Sequence, residues 1–141
     1  LQASGNLRIS RRRLIAAAAA VTATTVFAQE AERRVRVTLE AGKPARSFQD
    51  RISDYEAVSY VIQLRQGQSL HVVLATNNAS NCFDIHAPNT AKPIYVGAES
   101  GNDHKLLVTT PGEYMVRVFL LRLAARDGQS ADYTLELTLG G

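Results

Sequence analysis

From Val35 onward the apolar side chains keep returning on every second residue. That period confines the chain to strands with one buried face and one wet face. Val35, Val37 and Leu39 mark a first strand, and the weaker pattern of Phe48 to Ile52 a second. Tyr60, Ile62 and Leu64 are followed by Gln66-Gly67-Gln68 and then by Leu70, Val72 and Leu74, which predicts a hairpin. Polar Asn77 to Asn81 separates these from Phe83 and Ile85, and His86-Ala87-Pro88-Asn89 breaks the pattern again. A short edge strand is expected at Ile94 to Val96 and a loop at Glu99 to Asp103. Leu106 to Val108 forms another strand, ended by Thr110-Pro111-Gly112. Tyr114, Val116, Val118 and Leu120 share one face of a long strand, as do Tyr133, Leu135, Leu137 and Leu139 of the last. About eight short strands with turn residues between them predict an all-β fold of antiparallel sheets, a β-sandwich or a closed barrel. Past Ala28 no window supports a long amphipathic helix, although Arg122 to Arg126 can make one helical turn with Arg122 and Arg126 on one side.

The beginning of the chain reads differently. Arg8, Arg11, Arg12 and Arg13 precede an uncharged run from Leu14 to Val26, and Val26-Phe27-Ala28 offers small residues where a signal peptidase cuts. Residues 1–28 are therefore expected to be a cleavable signal peptide and residues 29–141 one sandwich domain. The apolar run is shorter than the roughly 20 residues of a comfortable membrane span, so no stable membrane insertion is expected after cleavage. Ser10 to Ile15 also resembles a twin-arginine signal, and both that route and the general secretory one lead to the periplasm or the medium.

Removing the leader decides one function class. Four of the 16 Lys and Arg lie before Ala28 and none of the 13 Asp and Glu do, so residues 29–141 carry 12 cations against 13 anions. A nucleic-acid binder needs a cation surplus to displace phosphate counterions. The basic balance belongs to the leader, and nucleic acid is excluded as a partner. The one cysteine, Cys82, excludes an intrachain disulfide.

No residue group reads as catalytic. Asn81-Cys82-Phe83-Asp84 matches no nucleophile motif, so Cys82 is expected to be a buried or half-buried thiol. His71, His86 and His104 with Asp84 or Asp103 have no metal-ligand spacing. Asp50, Asp54 and Glu56 are scattered carboxylates of a kind that is usually solvated. An enzyme is not expected, nor a cofactor or bound metal.

Three arginines are the remaining signal. Arg117, Arg122 and Arg126 are interleaved with alanine and leucine, and guanidinium is a planar fork that meets a carboxylate with two hydrogen bonds. Arg117 is odd-numbered on a strand whose even positions are apolar, so it points away from the core together with Phe119 and Leu121. A face that apolar calls for a second layer or a partner. The structural alternatives stay open: Arg117 pairing with a cross-strand acid such as Glu136, and Arg126 bracing its loop with Asp127.

The series Tyr55-Glu56, Tyr60, Gly67-Gln68, His71-Val72, Gly112-Glu113-Tyr114, Arg117-Val118, Arg122, Ala125-Arg126 and Tyr133 resembles the periplasmic inhibitors of goose-type (g-type) lysozyme. The match runs from about Gly42 to Leu139 and rests mainly on Tyr-x-x-Arg-Val followed by Arg-x-x-Ala-Arg and Tyr. It departs where Asp54-Tyr55-Glu56 replaces the family's frequent Gly-Tyr-Asp, and the loop from Asn89 to Asn102 shows no correspondence. The resemblance implies a β-sandwich whose loops plug the lysozyme cleft. It also implies a g-type lysozyme as partner and Tyr55, Glu56, Arg117, Arg122 and Arg126 as the inhibitory surface. Another function for the same frame is a non-catalytic envelope module that recognises glycan or protein. The oligomeric state is left open, a homodimer included.

Overall fold

The computed structural model describes residues 32–141. The expected signal peptide and its cleavage point lie outside the described residues. Nine strands and two short helical turns make up the rest. In chain order these are β1 (Glu32–Val37), β2 (Ala45–Ser53), β3 (Ala57–Leu64), β4 (Ser69–Thr76) and β5 (Asn81–His86). Then follow β6 (Tyr95–Val96), α1 (Gly97–Ser100), β7 (Asp103–Leu107), β8 (Gly112–Leu120), α2 (Arg122–Arg126) and β9 (Ser130–Gly140). One sheet has the order β1-β3-β8-β5-β6 and the other β2-β9-β4-β7. The all-β sandwich expected from the period-two pattern is the observed architecture.

Two expectations are corrected. The runs around Tyr60 and Leu70 do not form a hairpin. β3 pairs with β1 and β8 in one sheet, and β4 pairs with β9 and β7 in the other. The Gln66-Gly67-Gln68 turn, with Gly67 at φ 92°, carries the chain between the sheets, and its backbone pairs with Val108 instead. Alternation reports which face is buried; a two-sheet core offers that burial on either side of a turn. The sheets are also not wholly antiparallel, because β1 runs parallel to β3. The chain leaves the first sheet to form β2 and returns as β3, so two crossings restore the original direction.

The inner faces meet as expected. Val58, Tyr60, Ile62, Phe83, Ile85, Val116 and Val118 face Ile52, Leu70, Val72, Leu135 and Leu137, and all are at most 1% exposed. The phenols of Tyr60 and Tyr133 bridge the two sheets at 2.8 Å. A buried hydroxyl must find a partner, and each of these is the other's. Tyr114 is also a core residue, donating its hydroxyl to the Thr110 carbonyl at 2.7 Å. At one open side of the sandwich Arg33 of β1 reaches Asp50 of β2 at 2.7 Å and ties the two edge strands together. Burial works to raise the Asp50 carboxyl, but the Arg33 hydrogen bond and the Arg51 backbone N–H outweigh it and leave it lowered.

Candidate functional site

Two connections meet at one end of the sandwich. The first is the turn from β2 to β3. Asp54 takes a left-handed conformation (φ 56°), which an aspartate tolerates better than most residues. Its N–H donates to the Gln129 carbonyl at 3.0 Å, so the turn is fastened to the start of β9. Glu56 closes the turn twice. Its carboxylate accepts from the Ser53 N–H at 2.7 Å, and its own N–H donates to the Ser53 carbonyl at 3.0 Å. Tyr55 sits at the apex, 39% exposed.

The second connection runs from β8 through α2 to β9. The single helical turn expected at Arg122 to Arg126 is present. Ala124 and Ala125 are buried in the core, which fixes the orientation of the turn. The opposite side presents Arg122, Leu123 and Arg126 to solvent, with Leu121 just before them. Leu121 is anchored by its N–H to the Ser80 carbonyl at 2.9 Å, and the Asp127 N–H caps the turn on the Leu123 carbonyl at 3.0 Å. Among the described residues neither Arg122 nor Arg126 makes an ion pair or side-chain hydrogen bond. Arg126 and Asp127 do not brace one another.

The two connections enclose a groove of about 220 Å³ lined by Tyr55, Glu56, Arg117, Phe119, Leu120 and Arg122. Four of the five candidate residues thus converge; Arg126 lies one helical turn further along, outside the groove wall. Arg117 enters from β8 on the outer face of its sheet, in a row with Ser59 and Asp84. The cross-strand acid offered as an alternative partner is not Glu136, which belongs to the other sheet, opposite Ser47 and Val73. Arg117 instead donates its Nε to Glu32 Oε1 at 3.2 Å, and its guanidinium lies 5.1 Å from the Phe119 ring centre. The other carboxylate oxygen of Glu32 accepts from the buried Ser59 hydroxyl at 2.7 Å. That hydroxyl holds the Glu32 carboxyl below its usual range; partial burial opposes it and Arg117 reinforces it.

Glu32 and Ser59 carried no sequence signal, because β1 meets β8 only through the intervening β3. Among the described residues no third sheet covers Phe119. The outer face buries small side chains, Ala57, Ser59, Val61 and Cys82, beside the half-buried Met115, Arg117 and Phe119. Burial, and secondarily the Asp84 carboxylate, pushes the Cys82 thiol up to about 11, which removes the thiolate a nucleophile needs. His71 hydrogen-bonds Asp103 at 2.7 Å, and His104 stacks on Tyr95 with ring centres 4.0 Å apart. Among the described residues no three His, Cys, Asp or Glu side chains gather to hold a metal, and no helix is long and apolar enough to cross a membrane.

No protein-family model matches the sequence, and no curated protein is significantly similar to it. Solved structures are similar in fold. PliG of Aeromonas hydrophila, a periplasmic lysozyme inhibitor of g-type lysozyme, superposes with a TM-score of 0.70 at 19% identity, over 79% of this chain and 99% of that one. A mutant of the Escherichia coli PliG gives 0.61 at 20% identity over 77% and 99%. The Salmonella Typhimurium PliG gives 0.60 at 20% identity over 76% and 97%. The resemblance first read from the tyrosine and arginine motifs is thus met by the folds of these inhibitors.

Proposed function

We propose that this chain is an exported inhibitor of g-type lysozyme, released by cleavage after Ala28, that blocks the enzyme's cleft with the end of the sandwich described above. The observation that carries the proposal is the surface made by Tyr55, Leu121, Leu123, Arg122 and Arg126. It combines three exposed apolar or aromatic side chains with two cations that have no partner among the described residues. Lysozyme clefts hold carboxylates that act on a sugar chain. Arg and Tyr are residue types over-represented among binding hot spots. Arg122 and Arg126 supply the forks for those carboxylates and Tyr55 the apolar wedge. Arg117 and Glu56 shape the groove between them. The proteins of similar fold, inhibitors of g-type lysozyme by name, support the same reading.

The experiment is a lysis assay with goose-, chicken- and invertebrate-type lysozymes and the purified chain in excess. Selective loss of goose-type activity supports the proposal; undiminished lysis by that enzyme removes it. A pulldown on insoluble peptidoglycan separates the envelope-module reading, since a wall-binding module sediments without enzyme and an inhibitor does so only through it.

A further inference from the structure

Arg117 stands in the wall of the groove, yet it is held from a strand that contributes nothing else to that wall. Glu32 lies on β1, 85 residues away in sequence, and reaches Arg117 diagonally across β3. Its two carboxylate oxygens are engaged by two different strands, Oε2 by Ser59 of β3 and Oε1 by Arg117 of β8. Ser59 is wholly buried, so its hydroxyl gives the carboxylate a fixed anchor inside the sheet face. On the other side of Arg117, in the same cross-strand row, stands Asp84 of β5, with one buried carboxylate oxygen lacking a hydrogen-bond partner among the described residues. Arg117 therefore sits between two acids. The Glu32 hydrogen bond and the Phe119 ring lie on the groove side of the guanidinium, whereas Asp84 is its register neighbour on β5.

We infer that Glu32, seated on Ser59, is a positioning residue that helps set Arg117 in the groove, so that the parallel edge strand β1 belongs to the binding apparatus. The inference rests on the reading of the groove given above. A guanidinium already ordered before the partner arrives loses less freedom on binding, and this is where a positioning residue contributes affinity. The edge strand that breaks the antiparallel rule is the element that delivers this carboxylate.

The test has two arms. The first needs no partner: the side-chain Nε–H resonance of Arg117 is followed by nitrogen-edited NMR. It is expected to be shifted and protected from exchange in the unaltered chain, and to lose both properties in Glu32→Ala. A resonance unchanged by Glu32→Ala overturns the inference. The second arm compares inhibition of a goose-type lysozyme by Glu32→Ala, Arg117→Ala and the double variant. Each single change is expected to weaken inhibition roughly tenfold and the double change by no more, as coupled residues do. Glu32→Gln, which keeps one acceptor oxygen, recovers part of the loss. Losses that multiply in the double variant overturn the inference. Failure of the unaltered chain to inhibit refutes the reading of the groove, and the NMR arm then decides the placement of Arg117 by itself.

Discussion

Replacing Arg122 and Arg126 together by alanine should separate binding from folding. Both guanidinium groups are exposed and unpaired among the described residues, so their removal exposes no buried partner. Alanine is also the best helix former for the turn they occupy. Unfolding free energy should change by no more than about 0.5 kcal/mol, the usual range for surface substitutions. Binding is another matter. A charge pair that becomes desolvated in a complex costs about 2–5 kcal/mol when one partner is truncated, and a rim pair much less. If one of the two arginines becomes buried against a lysozyme carboxylate and the other stays at the rim, the loss is about 3 kcal/mol, on the order of a hundredfold in Kd. The assay is the titration of goose-type lysozyme lysis of cell walls, run alongside a urea melt of each variant. A charge-retaining Arg122→Lys, Arg126→Lys variant should fall between the two, because lysine keeps the charge without the fork. A double-alanine variant that melts normally and inhibits as well as the unaltered chain would refute the reasoning.

Three further outcomes follow from the interior and the ionisable groups. Tyr60→Phe or Tyr133→Phe strands the surviving phenol of the inter-sheet pair and should cost about 1–3 kcal/mol, while the double Phe variant costs less than the sum; additive losses in denaturant melts would contradict the pairing. Glu32 and Asp50 have lowered carboxyl pKa values in the fold, so the stability they add is present above the unfolded value of about 4 and disappears as pH falls through the folded value. Asp84 is raised by burial and has the opposite sign: it costs stability as pH rises past its unfolded value. Asp84→Asn should therefore gain on the unaltered chain more at pH 7 than at pH 3, and equal differences at both would refute the sign. Cys82, buried and with a raised pKa, should react with a thiol reagent at pH 8 about a hundredfold slower in the folded chain than in urea; equal rates would place it at the surface.

Much of the fold was legible because period-two patterning is written residue by residue. Tyr114 to Leu120 and Tyr133 to Leu139 place their apolar faces inward as their alternation requires. Strand adjacency was not legible. Gln66-Gly67-Gln68 has the composition of a hairpin turn, but nothing local distinguishes a turn within a sheet from one that crosses a core. The same limit hid Glu32 as a partner of Arg117. Its odd position correctly placed it on the outer face, whereas choosing Glu32 over Glu136 requires knowing that β1 lies in the sheet of β8 and β9 does not. Tyr55, Glu56, Arg117 and Arg122, the residues implied by the resemblance, line one groove. What no spacing could disclose is that the turn at Asp54 and the connection at Leu121 belong to the same end of the sandwich.

The most direct measurement maps the contact itself. Backbone amide resonances of the labelled chain are recorded while unlabelled goose-type lysozyme is added. Binding through the proposed surface shifts or broadens residues 54–56 and 119–127, while the turn at 66–68, at the opposite end of β3, stays in place. Perturbation centred on residues 66–68, or no perturbation anywhere at lysozyme excess, would contradict it.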